Sequence, residues 1–167
     1  HNGIQWPCPA DDHPGTPLLH ERLWETPCGG PRAPFHAIDH SGPVEALDAQ
    51  YPLRLTNGRR LVSFNTGVQT GWFVSPLHRG ESLDLHPEDL VKYGVHDGEV
   101  VRISSRRGSV VAPVRSDDAL RPGLAFMTFH FPDQVDTNLL TIDTWDPKSG
   151  TAEVKAAASR IDKLAGG

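Results

Sequence analysis

The chain has 167 residues, enough for one domain or for one domain with an irregular arm. Its formal net charge of -5 and pI near 6.0 exclude a general nucleic-acid coat, which needs a strongly basic face. No run approaches the roughly 18 apolar residues of a membrane span, and no signal-peptide pattern is visible. We therefore expect a cytoplasmic protein. Because residue 1 is not Met, we expect a piece of a longer polypeptide.

Residues 1–50 are rich in proline and show no sustained hydrophobic periodicity. Such a stretch cannot build a regular helix or a central strand. It still contains apolar anchors, among them Trp6, Leu23 and Phe35. We predict an extended arm over residues 1–50, packed along a larger body, and a separate domain over residues 51–167.

From residue 51 onward, short apolar runs alternate with turn signals, a pattern typical of strands. Strands are predicted around residues 53–55, 61–62, 83–85, 99–105, 109–116, 122–129 and 152–161. Gly108, in the turn "RRG", is predicted to take the positive φ that a hairpin needs. These short strands, together with small helices, predict a mainly β fold, and a β-barrel rather than a sandwich.

One helix is clearly signalled in "HPEDLVKYG", residues 86–94. Pro87 stands at the first helical position, acidic residues follow in the first turn, and Gly94 provides the stop. His86 is predicted to cap this helix. A second short helix is expected between residues 133 and 143.

The stretch "YPLRLTNGRRLVSFNTGVQTG", residues 51–71, contains many hydrogen-bond donors and no acidic residue. Asn57-Gly58 is a strong turn dipeptide, and a glycine there would let the backbone approach a bulky ligand. If the strand continues, Arg59 and Arg60 point to opposite faces, so only one faces a given ligand. From the residues alone, a hairpin with a solvated tip and an anion-binding turn both stay open, since the usual phosphate-binding motifs are absent.

The histidines give no clear metal site. His36 and His40 are four residues apart, but Pro34 and Gly42 bracket them and no third ligand is near. His130, in "FMTFHFP", is either a satisfied core histidine or a ligand contact at a barrel mouth. No nucleophile elbow, paired carboxylates or Ser/His/Asp order is legible. We therefore predict neither catalytic nor metal-ligating residues in this chain.

Four stretches resemble, in order, the C-terminal domain of molybdopterin-dependent oxidoreductases of the dimethyl sulfoxide reductase family, above all the catalytic alpha subunit of formate dehydrogenases. They are "YPLRLTNGRRLVSFNTGVQT", "LDLHPEDLVKYGVHDGEVVRISSRRGSVVAPV", "RPGLAFMTFHFPDQVDTNLLT" and "DPKSGTAEVKAAASRI". The resemblance implies a double-psi β-barrel that closes over bis-molybdopterin guanine dinucleotide carrying molybdenum or tungsten. "GIQWPCP" resembles the lead-in to this domain, which would make the arm the tail of a preceding domain.

The resemblance also implies which residues contact the cofactor. "TNGRR" resembles a Thr-Gly-Arg segment at the pterin and pyrophosphate, and "FNTGVQT" a segment facing the dithiolene end. "NLLT" and "EVK" resemble further pterin contacts. The predicted cofactor-binding residues are Thr56, Asn57, Gly58, Arg59, Arg60, Asn65, Thr66, Gln69, Thr70, His130, Asn138 and Lys155. Because the family's glycine-arginine pair matches Gly58-Arg59, Arg59 is predicted to be the main phosphate contact and Arg60 to contribute less.

Three functions are compatible with this reading. The leading one is the cofactor-binding domain of a formate dehydrogenase, which oxidises formate to carbon dioxide. The second is a domain of a nitrate or other oxyanion reductase. The third is a non-catalytic double-psi barrel that acts as a protein- or substrate-recognition module, which an acidic cleft without an ordered Arg59 would favour. The resemblance places the metal ligand and any iron–sulfur clusters upstream, with upstream domains and electron-transfer subunits as partners. We expect the isolated chain to be inactive.

Overall fold

The computed structural model describes residues 4–8, 10–16, 35–60 and 80–164. The chain divides into two compact units, residues 1–41 and 42–167. In the first unit, the described residues form neither helix nor strand. The arm predicted over residues 1–50 and its boundary with the domain stay predictions. Within the described residues, no helix is long and apolar enough to cross a membrane.

The second unit is built from six strands and two short helical segments among its described residues. The elements are β1 Leu53–Gly58, β2 Leu83–Leu85, α1 Pro87–Tyr93, β3 Val100–Ser105, β4 Ser109–Ser116, β5 Leu124–Thr128, the 3₁₀ helix Thr137–Leu140 and β6 Ala157–Lys163. The strands close into a barrel in the order β1-β5-β2-β4-β3-β6. The pairs β1–β5 and β2–β4 are parallel, and the other neighbouring pairs are antiparallel. The predicted mainly β, double-psi barrel is confirmed.

Alternating side chains of the strands fill the barrel. Leu53 and Leu55 of β1, Ile103 of β3 and Met127 of β5 are each at most 1% exposed. Side chains of neighbouring positions point outward, as the two-residue period of a strand requires. The core therefore follows from the apolar alternation that predicted these strands.

Helix α1 has the ends that its sequence predicts. The Glu88 amide donates to Nδ1 of His86 at 3.1 Å, so His86 is the N-cap. Gly94 ends the helix in the left-handed region, at φ 65°. The helix expected between residues 133 and 143 is the single 3₁₀ turn Thr137–Leu140. The strand predicted at residues 61–62 lies outside the described residues.

Asn57 and Gly58 do not form the turn that their sequence predicts. Both lie within β1, where Asn57 pairs with Met127 and Gly58 with Thr128 of β5. A Cβ at Gly58 would lie 3.0 Å from the ring of Phe126. The parallel pairing with β5 overrides the local turn preference, and the glycine makes room for an aromatic ring of the protein.

The prediction of a positive φ at Gly108 is also wrong, because this residue is not in the left-handed region. A Cβ there would lie 2.9 Å from the carbonyl oxygen of Leu139 in the 3₁₀ helix. The turn between β3 and β4 therefore needs a glycine for close packing. We expect Gly108→Ala to lower the free energy of unfolding by about 1–3 kcal/mol in urea denaturation. Gly42→Ala is the control, since a Cβ there meets no atom within 4 Å; equal stability of the two variants would contradict the packing role.

Glu45 fastens the start of the second unit to the barrel. Its carboxylate accepts from Arg106 at 2.6 Å, from Arg107 at 2.5 and 3.0 Å, and from the Ala158 amide at 2.7 Å. Burial alone would raise the pKa of Glu45, but the hydrogen bonds from Arg107, Ala158 and Arg106 outweigh it and lower the pKa to about 2. Arg107 also donates to the Leu140 carbonyl at 3.0 Å, which ties this cluster to the 3₁₀ helix.

This cluster predicts an acid-labile contribution to stability. Because the pKa of Glu45 is lower in the folded than in the unfolded chain, its stabilisation is complete above about pH 4.5 and is lost as the pH falls toward 2. We expect the free energy of unfolding of wild type to exceed that of Glu45→Gln by about 2–3 kcal/mol at neutral pH. This difference should shrink as the pH falls toward 2. Urea denaturation of both proteins across this range measures the gap; a gap independent of pH would contradict the assignment.

Candidate functional site

A cleft of about 710 Å³ opens where β1 ends. It is lined by Asn57, Gly58, Arg59, Phe129, His130, Val154 and Lys155. Two of these side chains, Arg59 and Lys155, are exposed and cationic, and none of the seven is acidic. The cleft therefore suits an anionic ligand.

Two neighbouring concavities share lining residues with the cleft. One, of about 300 Å³, is also lined by Phe129 and Val154, and the other, of about 610 Å³, is also lined by Val154. Asn138 lines both of them. We call these three cavities, which all have Val154 in their lining, the Val154 groove. It brings Asn138, predicted from a distant stretch of sequence, onto the same surface as Arg59 and Lys155.

The segment around Val154 is strapped to β1 by two hydrogen bonds. Nδ2 of Asn57 donates to the Val154 carbonyl, and Nζ of Lys155 donates to the Asn57 carbonyl at 2.6 Å. Oδ1 of Asn57 is buried and has no hydrogen-bond partner among the described residues, and the same holds for Oγ1 of Thr137 beside the 300 Å³ concavity. Such orphaned groups are costly unless a ligand or water satisfies them. They fit a ligand that offers donors as well as negative charge.

His130 is 4% exposed and lies at the cleft wall. Its Nε2 accepts from the Arg60 amide at 3.2 Å, and its own amide donates to Oγ1 of Thr128 at 3.2 Å. Burial, followed by the charges of Arg60 and Arg59, lowers the pKa of His130. The imidazole is therefore neutral at physiological pH and is both hydrogen-bonded internally and part of the cleft. Its contact with a ligand stays a prediction.

Arg59 and Arg60 diverge, as adjacent residues were expected to do. Arg59 lines the cleft, whereas the Arg60 guanidinium turns inward. Nη2 of Arg60 donates to Asp84 at 2.8 and 2.9 Å and to Ser82 Oγ at 2.8 Å. Arg60 is not a solvent-exposed residue at the cleft rim, because its side chain is only 13% exposed and is paired with a carboxylate.

The remaining predicted residues are placed as follows. Thr56 lies in β1 opposite Phe126 and is not among the residues that line the cleft. The predicted contacts Asn65, Thr66, Gln69 and Thr70 lie outside the described residues. Among the residues that the structure describes, no group of three His, Cys, Asp or Glu side chains could hold a metal ion.

The sequence reading missed two kinds of residue. Phe129 is the first kind: it forms part of the apolar cleft wall beside Val154 of the predicted "EVK" contact, and it carries no chemical signal in the sequence. Asp84 is the second kind: it is 1% exposed between two buried leucines in "LDL". An acid within an apolar strand rarely stays buried without a partner, so this pattern could have predicted an internal cation.

Comparison with known proteins places these features in a family. The family model "Molydopterin dinucleotide binding domain" matches residues 53–158. F420-dependent formate dehydrogenase 2 subunit alpha of Methanococcus maripaludis is 37% identical over 165 residues, which are 98% of this chain and 24% of that protein. The periplasmic nitrate reductase of Desulfovibrio desulfuricans is 34% identical over 179 residues, covering 97% of this chain and 23% of the relative.

Among solved structures, acetylene hydratase from Pelobacter acetylenicus has the same fold, with a TM-score of 0.58 and 18% identity over 68% of this chain and 18% of that one. The chain spans about a quarter of the length of the curated relatives that it matches. The similarity to formate dehydrogenase alpha subunits that the sequence indicated is confirmed. The chain belongs to the molydopterin dinucleotide binding domain family.

Proposed function

We propose that this chain is the part of a longer oxidoreductase that binds bis-molybdopterin guanine dinucleotide with molybdenum or tungsten. The observation that carries the proposal is the cleft that Arg59 and Lys155 both line and that has no acidic residue in its lining. Phosphate groups need such cations, and Arg in particular binds them through paired hydrogen bonds. When bound, the cofactor supplies the redox chemistry, and the protein holds and orients it.

The residues of the groove divide this work by their chemistry. Arg59 and Lys155 would neutralise the phosphates, and the orphaned Oδ1 of Asn57 would accept from a ring N–H or amino group of the pterin. Asn138, farther along the Val154 groove, would hold another pterin edge. Asn65, Thr66, Gln69 and Thr70 complete the proposed set.

For the whole protein we propose oxidation of formate to carbon dioxide in the cytoplasm. The support is the similarity to formate dehydrogenase alpha subunits over nearly the whole chain. A nitrate reductase is the second candidate, because a periplasmic nitrate reductase is 34% identical over a similar span. The recognition-module hypothesis loses support, since the cleft is not acidic. Partners would be other domains of the same polypeptide and electron-transfer subunits.

The test uses the full-length protein, purified without oxygen, and measures its metal, its pterin content and its reduction of a dye with formate. We expect metal and pterin together with formate-dependent dye reduction. If the protein instead oxidised a reduced dye in the presence of nitrate, the proposed substrate would be nitrate and not formate. A full-length protein free of pterin would refute the proposal.

The isolated 167-residue chain is expected to reduce no dye with formate, since we find no redox centre or metal ligand in its sequence. It should stay inactive after incubation with molybdate or tungstate. Activity of the purified chain without added subunits would contradict this prediction.

A further inference from the structure

Arg60 joins the cleft to the interior of the barrel through its two ends. Its backbone amide donates to Nε2 of His130 at 3.2 Å, while its guanidinium donates to both carboxylate oxygens of Asp84. The guanidinium carbon also lies 5.9 Å from the centre of the Phe126 ring. Arg60 is the second residue after the end of β1, so its backbone is not part of the hydrogen-bonded sheet. Among the described residues, the contacts of the side chain are therefore what can hold this amide in place.

Asp84 is a firm anchor for that side chain. It lies in β2, pairs with β5 at Phe126, and is 1% exposed. Its carboxylate also accepts from Nε of Arg115 at 2.9 Å and from Oγ of Ser82 at 2.6 Å. A buried carboxylate with several charge-assisted hydrogen bonds has few alternative positions.

The ring of His130 depends on the Arg60 amide. Its backbone is held separately, because its amide donates to Thr128 Oγ1, and Thr128 in turn donates to the buried Glu81. Since Nε2 accepts a hydrogen bond, the proton of the neutral ring is on Nδ1. Nδ1 has no hydrogen-bond partner among the described residues. Since it is also not among their buried side-chain atoms that lack a partner, it is accessible, and it therefore faces the cleft that His130 lines.

We propose that Asp84 is a positioning residue: by holding the Arg60 guanidinium it keeps the Arg60 amide on Nε2 of His130, and His130 then offers a neutral Nδ1–H donor to the ligand. The inference rests on the proposed function for the identity of the ligand, a pterin dinucleotide. A neutral N–H donor suits an uncharged acceptor, such as a ring nitrogen or a carbonyl oxygen. The cations Arg59 and Lys155 do not favour such an acceptor over a phosphate. His130 would thus distinguish a heteroaromatic edge from a simple anion.

The test is the imidazole ¹⁵N spectrum of the full-length protein with labelled histidine, recorded at about pH 8, where histidine is neutral. The His130 signals are identified by their loss in His130→Gln. In wild type we expect a protonated Nδ1 and an unprotonated Nε2. Arg60→Met keeps the backbone amide but removes the anchor, and we expect it to change this single form into a mixture of both tautomers. Asp84→Asn should do the same.

Asp117→Asn is the matched control, because Asp117 pairs with Arg115 at 3.1 Å on the other side of the same ion cluster and does not contact Arg60. It should leave the His130 signals unchanged. If Asp84→Asn does not fold, Arg60→Met and Ser82→Ala test the same anchor. A proton on Nε2 in wild type, or an unchanged tautomer in Arg60→Met, would overturn the inference. Because the spectrum needs no cofactor, this failure is separate from failure to find pterin, which would refute the proposed function.

Discussion

Full-length protein with Arg59→Ala is expected to retain its pterin cofactor roughly 10- to 150-fold more weakly than wild type. Arg59 is exposed and lines an acid-free cleft, and the Arg60 guanidinium lies in the interior of the barrel, where it contacts Asp84. A charge-assisted hydrogen bond to a partly buried phosphate is worth about 1.5–3 kcal/mol, which sets this range. Metal and pterin content after extensive dialysis measures the loss.

Arg102→Ala is the control for that experiment, because Arg102 is an exposed arginine on β3 outside the cleft lining. It should leave metal and pterin content unchanged. Arg60→Ala is expected to lower stability instead, since it leaves the buried Asp84 with fewer partners. If Arg59→Ala held its cofactor as well as Arg102→Ala did, the phosphate assignment would fail. If only Arg60→Ala lost it, Arg60 would be the phosphate contact.

The parts of the fold that the sequence predicted well are those governed by local rules. Helix α1 begins and ends at its predicted signals, because Pro87 and Gly94 act on the backbone of their own positions. The hairpin of β3 and β4 likewise joins neighbours in sequence. The barrel was predicted from the number of short strands and from the family resemblance. The parallel pairing of β1 with β5 joins residues distant in sequence, so no local sequence pattern predicts it.

The errors share a physical cause, which is contact with residues distant in sequence. Asn57-Gly58 reads as a turn, yet pairing with β5 keeps it in a strand. Gly108 reads as a positive-φ residue, yet the approach of Leu139 is what requires a glycine. In the cleft, resemblance named Arg59 and Lys155, but Phe129 and Val154 come together only through the fold.

The largest loss of stability is expected from Asp84→Ala, at about 3–5 kcal/mol. Asp84 is 1% exposed and compensates the charges of the largely buried Arg60 and of Arg115, whose side chain is 35% exposed. Removing it leaves two guanidinium groups without their shared partner and opens a small cavity. Urea denaturation at neutral pH measures the change.

Asp117→Ala separates the effect of burial from that of charge alone. Asp117 also pairs with Arg115, but its side chain is 28% exposed, so water can replace it as a partner. Its removal should cost about 1 kcal/mol or less, as for other exposed pairs. The double variant Asp84→Ala with Arg115→Ala should be less destabilised than the sum of the single changes, since the unpaired cation is removed with its carboxylate. Additive losses would mean that Asp84 stabilises the barrel by packing, and that the ion cluster contributes little.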